Sequence, residues 1–450
     1  MKKLFRQVSV LLISACLLPL MANANESAAT TEFTLDNGLK VIVREDHRAP
    51  VVVSQLWYKV GSSYETPGST GLAHALEHMM FKGSSKLGPG ESSLILRDIG
   101  AQENAFTSSD YTAYYQVLSS DRLEIALELE ADRLAGLTLP EDEFLREIEV
   151  IKEERRMRTD DRPTSLAYER FQAMVYPSSS YSIPTIGWMH DLNRMTINDL
   201  RQWHEQWYAP NNATLVIVGD VQPEQVKTLV QRHFGPIKAR PIPDAKRPIE
   251  LDQPGERRLT LYLNSQVASL MMGFNVPSLN TLEDPKQIHA LRLLSAVLSS
   301  GPSARLATNL ERKQELVVGA YAWYDAHTRG SSMFALGATP NVQNGITLEQ
   351  VEAGFWKEID KLKTTPPSQA ELDRVRAQVI ASQVYERDSI EAQATAIGQL
   401  ETVGLSWRLL DEDVKALEQV TPADISKAAR TYLTKSRLSV VHLYPQEARP

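Results

Sequence analysis

A chain of 450 residues with a single cysteine, Cys16, cannot close an internal disulfide, so no covalent framework supports its fold. It also lacks any excess of positive charge. Its 48 Lys and Arg stand against 56 Asp and Glu, a net charge of −8, which argues against nucleic acid as the main partner. Aromatic residues are only 7% of the chain, while hydrophobic residues make up 42% and charged residues 23%. That balance belongs to globular proteins rather than to disordered or fibrous ones. After residue 24 no apolar run reaches membrane length, so no stable membrane span is expected there. The length corresponds to about two to four domains at roughly 100–200 residues each.

Residues 1–24 read as an export signal. Lys2, Lys3 and Arg6 form a basic start, Val8 to Met21 form an apolar stretch of about 14 residues, and Ala22-Asn23-Ala24 supplies the small-residue cleavage pattern. A spanning helix needs ~20 residues, so the stretch is expected to be removed after Ala24, which places the chain in the periplasm. A competing pattern, Ile13-Ser14-Ala15-Cys16, resembles a lipoprotein signal that would retain Cys16 with a lipid. The apolar run Leu17 to Met21 follows it directly, where a polar tether is usual. Cleavage removes three positive charges and takes the net charge from −8 to −11. It also leaves no cysteine, which suits an oxidising compartment and excludes thiol catalysis.

A weak internal repeat organises the rest. Thr196-Ile197-Asn198-Asp199-Leu200, then Trp207-Tyr208 and the apolar run Ala213 to Val218, has a counterpart in Thr421-Pro422-Ala423-Asp424-Ile425, Tyr432 and Leu438 to Val441. The offset is 225 residues at the Asp pair and 223 at the Leu pair, about half the mature length, as a duplication would give. Both halves open with strand signals followed by a helix, at Val51 to Lys59 and at Leu259 to Asn275. Between them, Pro236, Pro241, Pro243, Pro248 and Pro254 mark a linker. The expected fold is therefore α+β, with two duplicated domains, each a mostly antiparallel sheet packed with helices. The first domain is expected at 25–236, the linker at 237–255 and the second domain at 256–450.

The chemistry concentrates in Ser69-Thr70-Gly71-Leu72-Ala73-His74-Ala75-Leu76-Glu77-His78-Met79-Met80-Phe81. Ser69 or Thr70 is placed to cap a helix whose apolar face is Leu72, Leu76 and Met79 or Met80. On it His74 and His78, at i and i+4, project from one side about one turn apart, as two ligands of one Zn²⁺ require. Glu77 adjoins them in the order H-x-x-E-H. A catalytic zinc takes a third protein ligand, and the helix predicted after Pro140 offers Glu141, Glu143, Glu147, Glu149, Glu153 and Glu154. Phe144, Ile148 and Ile151 fit its buried face, and Glu147 and Glu154 lie on nearly one azimuth two turns apart. Spacing does not choose among the six. His47, His190, His204, His233, His289, His327 and His442 show no ligand spacing and read as structural or exposed, and Trp203, Trp207 and Tyr208 read as core.

The H-x-x-E-H segment, the run Glu147 to Glu154, Gly100-Ala101-Gln102-Glu103-Asn104-Ala105-Phe106-Thr107-Ser108, and Trp207 to Asp220 together resemble the pitrilysin/insulinase family of zinc metallopeptidases. The likeness covers essentially the whole mature chain and is nearest to short two-domain members related to mitochondrial processing peptidase. It implies that His74, His78 and Glu154 bind one Zn²⁺ per chain, that Glu77 is the general base, and that Glu147 supports the site. It further implies that Asn104, Ala105 and Phe106 belong to an edge strand that holds substrate backbone, a role an unpaired edge can fill by strand addition. The function so implied is hydrolysis of peptides or unfolded polypeptide segments, with a non-catalytic peptide-binding, chaperone-like subunit as the alternative.

One departure concerns partners. Where family members carry an arginine and a tyrosine seven residues apart after a Ser-Arg-Leu element, the stretch from Ser303-Ala304-Arg305-Leu306 leads here to Glu311 and Val318. A carboxylate cannot donate to a peptide carbonyl, and valine has no polar tip. The resemblance then implies a heterodimer, closing as a clamshell, in which a related subunit supplies the missing pair. The alternative is a homodimer in which Arg312 and Tyr321 or Tyr324 take over those roles.

Overall fold

The computed structural model describes residues 29–449. The export signal, its cleavage point and Cys16 lie outside the described residues. The first half is built on β1 (Thr30–Thr34), β2 (Lys40–Glu45), β3 (Val51–Tyr58), β4 (Gln102–Thr107), β5 (Thr112–Ser119) and β6 (Ala213–Gly219). Their order is β1-β2-β6-β3-β5-β4, and only β2 and β6 run parallel. The second half uses β7 (Arg257–Leu263), β8 (Ser269–Val276), β9 (Val317–Tyr324), β10 (Ser332–Pro340) and β11 (Leu438–Pro445) in the order β7-β11-β8-β10-β9. There only β7 and β11 are parallel. Without β1, the two sheets match strand for strand in order and direction, so the sequence repeat is a repeat of topology. Each copy closes alike. Thr196 with Asp199, and Thr421 with Asp424, form capping boxes that start the helices Ile197–Trp207 and Pro422–Tyr432, which lead to β6 and β11.

The first sheet is buried on both faces, which is why β6 reads as an unbroken apolar run and all seven of its residues are buried. On one face Val41, Val43, Leu56, Leu215 and Ile217 pack against the helix Leu72–Met79, which carries the two histidines. On the other, Ile42, Val53, Trp57, Val216 and Val218 are covered by Ala394 and Ile397 of the helix Ile390–Thr402, which comes from the second half. The exchange is mutual. The helix Pro163–Val175 of the first half lays Ala167, Phe171 and Val175 on Leu261, Met271, Ala335 and Val441 of the second sheet. The joint is tightened by Arg329, whose guanidinium lies 3.8 Å from the Tyr64 ring and whose backbone N–H donates to buried Asp110 at 3.0 Å.

The seat of the helix Ile390–Thr402 depends on Gly398. A Cβ there would stand 2.0 Å from the Trp57 ring, a fully buried residue with no room to move. Gly398→Val is therefore expected to destabilise the chain by about 3 kcal/mol, read as a lowered denaturant midpoint. An unchanged midpoint would mean that the helix does not sit on Trp57.

Between Phe234 and Arg257 the chain forms neither helix nor strand. No helix among the described residues is long and apolar enough to cross a membrane.

Candidate metal centre

The helix Leu72–Met79 buries Leu72, Leu76 and Met79 and turns His74 and His78 the other way. Its start differs from the expected Ser69 or Thr70 cap. Gly71 holds the cap position at φ +88°, and a Cβ there would meet Ile186 O at 2.9 Å. Thr70 is buried and donates its hydroxyl to Asp191 at 2.6 Å, so it is not free to cap. The caps come from Glu65, which accepts from Gly71 N at 2.7 Å and Ala73 N at 2.8 Å. Burial pushes its carboxyl up to about 8, against the pull of those N–H groups. No spacing rule in the sequence singles out Glu65.

The third element is the helix Glu141–Arg155, whose buried residues include Phe144, Ile148 and Ile151 as the pattern predicted. This orientation resolves the six glutamates. Glu141 is exposed at the helix start, Glu143, Glu149 and Glu153 pair with Arg146, Lys152 and Arg156 on their own helix or its extension, and Glu154 and Glu147 face the histidines. Glu154 Oε2 lies 3.7 Å from His74 Nε2 and 3.4 Å from His78 Nε2. Four ligands arranged tetrahedrally around zinc at ~2.0–2.1 Å are separated by about 3.3 Å, so Glu154 already stands nearly as far from each histidine as one ion would hold it, and the ligand atoms of all three lie within 4.8 Å of one another. Among the described residues this is the one group of three or more His, Cys, Asp or Glu so placed.

The surroundings favour the ligating forms of His74 and Glu154. Burial, with His78 beside it, pulls His74 down to about 4, which keeps it neutral. For His78 burial acts in the same direction, but its hydrogen bonds with Glu154 and Glu147 outweigh it and raise the imidazole. A cation held by His74, His78 and Glu154 would displace that proton. Hydrogen bonding to His78 holds the Glu154 carboxyl below its usual range, against burial. Glu147 Oε2 is 3.2 Å from His78 Nδ1 and its other oxygen is 2.5 Å from Lys82 Nζ. Glu147 thereby favours the neutral tautomer whose Nε2 is free to bind a cation. His74 has no equivalent acceptor among the described residues, since its Nδ1 is buried there without a hydrogen-bond partner. Arg158 braces Glu154 at 2.8 Å. Glu147→Gln is expected to lower metal affinity about 10–100-fold, measured by competition with a chromophoric chelator; an unchanged affinity would remove Glu147 from the site.

Glu77 is mostly buried beside the two imidazoles. Burial raises its carboxyl, and a hydrogen bond donated by Thr107 to Oε2 partly offsets this. Sequence reasoning missed Thr107, although it sits one residue beyond the strand segment that was singled out. That segment is β4, at the edge of the first sheet. The pair Ser108–Tyr111, bonded at 2.8 Å, sets the register of the ladder. Asn104 and Phe106 therefore bond inward to β5, while Glu103, Ala105 and Thr107 turn their backbone groups to the open edge. The outward N–H of Ala105 is held by the Asn104 side chain at 2.9 Å. The Phe106 ring packs edge-on against Trp57 at 5.2 Å, so much of its side chain serves the sheet. His74, Glu77, His78, Glu154, Asn104 and Ala105 line one open cleft of about 1130 Å³.

The insulinase (peptidase family M16) profile matches residues 40–187, and the peptidase M16 inactive domain profile matches 194–379. The zinc protease PqqE of Helicobacter pylori is 32% identical over 421 residues, 92% of each chain. The chain belongs to peptidase family M16, the insulinase family. An uncharacterized zinc protease of Bacillus subtilis, YmxG, is 25% identical over 90% of this chain and 95% of its own. The crystal structure of a protease from Helicobacter pylori matches with a TM-score of 0.86 at 30% identity, covering 93% of this chain and 100% of that one. The inactive-domain match falls largely on the second half. There the helix after β8, Pro285–Ser299, is the counterpart of the histidine helix, and its His289 lies 3.2 Å from Arg292 rather than in a ligand group.

Proposed function

We propose that the chain is a zinc-dependent endopeptidase of peptides or unfolded segments, exported to the periplasm, and the metal-bearing member of a pair. The observation that carries this reading is the cleft itself, in which three metal ligands, a buried glutamate and an open sheet edge meet. Zinc, when bound by His74, His78 and Glu154, would polarise a peptide carbonyl and acidify a water. The remaining work belongs to the chain's own groups. An extended peptide pairs with the outward N–H and C=O groups of β4, which reads main chain and tolerates many side chains. Ala105 N–H becomes available once the Asn104 side chain turns aside. Glu77 takes the proton of the attacking water on its carboxylate and returns it to the leaving amine. Thr107 occupies Oε2 and so presents the other oxygen to the water.

The need for a partner rests on the second half. Glu311 is exposed and Val318 is 60% exposed, so neither the charge nor the hydroxyl of an arginine–tyrosine pair is offered at those positions. Of the substitutes, Tyr324 is withdrawn, because it is buried and donates its hydroxyl to Pro277 O at 2.7 Å, whereas Tyr321 is 48% exposed and keeps the homodimer as the alternative. Arg312 is held by Thr308 at 2.8 Å. Co-purification with a related subunit is expected to raise hydrolysis of an unstructured peptide at least tenfold over the chain alone, a gain of about 1.4 kcal/mol in transition-state binding. Full activity of the chain by itself, as monomer or homodimer, would refute the divided site and leave the metal centre standing.

A further inference from the structure

A second cavity, of about 180 Å³, lies on the far side of the first sheet from the metal ligands. Its floor is β2, where Arg44 shares a face with Ile42, beneath the helix Ile390–Thr402. Its other walls come from the second half, including His327, Arg387, Gln393 and Leu410. Arg44 is only 5% exposed, yet among the described residues it makes no hydrogen bond or ion pair, and its Nε is buried without a partner there. Its acidic neighbours Asp46, Asp411 and Asp413 are engaged elsewhere, and the further carboxylate of the cavity wall, Glu386, accepts only from Ser382 at 3.5 Å. Asp46 holds Arg48 at 2.7 Å, Asp411 lies 3.6 Å from Arg387, and Asp413 holds Arg292 at 2.8 Å and Gln383 at 2.5 Å. A guanidinium cannot shed its proton to escape this position. Leaving one charge buried and unpaired is among the costlier arrangements in a folded chain, and an anion in the cavity removes the cost.

We propose that this cavity binds one small oxyanion on the guanidinium of Arg44, and that the ion ties β2 of the first half to the helices of the second. The shared chemistry is a compact, planar or tetrahedral anion with at least two oxygens, which suits the fork of the guanidinium. Phosphate, sulfate and acetate each offer that chemistry, and separate titrations distinguish them.

The test is thermal melting of the purified full chain in chloride at fixed ionic strength, with phosphate, sulfate or acetate exchanged for chloride. At ten times its dissociation constant the bound ion is expected to raise the melting temperature by about 2 °C above the chloride value. Arg44→Met removes the charge but keeps the bulk, and is expected to melt no lower than wild type in chloride and to lose the oxyanion increment. Ala396→Met leaves Arg44 in place and fills the cavity from the helix above it, and it too should lose the increment. An increment that persists in either variant, or a wild-type chain that melts alike in all four anions, overturns the proposal.

Discussion

Glu77→Gln is expected to lower peptide turnover by about 10²–10⁴-fold while leaving the zinc content of the chain unchanged. Gln keeps the shape of the side chain and can still accept from Thr107, so the fold and the metal ligands are preserved. What it cannot do is take a proton. Glu77 suits that task because burial lifts its carboxyl from the usual range, making it a better base than an exposed carboxylate. The measurement is steady-state cleavage of an unstructured fluorogenic peptide, paired with metal analysis of the same sample. Retained turnover with bound zinc would show that another group moves the proton.

The second large effect is on the metal itself. Glu154→Ala is expected to lower zinc affinity by more than about 10²-fold, since loss of a mere outer acceptor already costs 10–100-fold. Activity should fall with it. Glu153→Ala is the internal control: Glu153 pairs with Arg156 at 2.8 Å, away from the histidines, and its removal should leave zinc binding intact. Folding of the Glu154 variant is checked by its denaturant midpoint. Equal zinc affinity in both variants would show that the helix Glu141–Arg155 does not contribute the third ligand.

Much of this site could be read from the sequence because its spacings are local. His74 and His78 share a helix, so the i, i+4 rule fixes their relation before any tertiary contact is known. The two α+β halves were legible for a similar reason, since capping residues and an apolar strand recur at Thr196 and Thr421 with a constant offset. Choosing Glu154 from six glutamates took the family likeness, because helical spacing alone does not say which way a charged helix faces. The structure supplies that reason in Phe144, Ile148 and Ile151, which are buried and turn Glu147 and Glu154 inward. Glu65, Thr107 and Arg44 were invisible because no sequence motif marks the contacts of the first two or the missing partner of the third. Glu65 reaches the backbone of a helix that begins beyond a turn, Thr107 reaches Glu77 from another element, and Arg44 is notable only for the partner it lacks. The exchange of covering helices between the halves was equally hidden. Amphipathic patterning shows that a helix has an apolar face, not whose sheet it covers.

The most direct test of the central claim is hydrolysis of an unstructured peptide by the purified chain, with and without a related partner subunit. The assay is run as isolated, after chelation, and after return of one equivalent of zinc, with Glu77→Gln carried through every step. Activity that disappears with the metal, returns with it, and never exceeds background in the variant is the result a zinc endopeptidase predicts. Stoichiometric zinc with no hydrolysis in any combination, or hydrolysis that survives both chelation and Glu77→Gln, would contradict it.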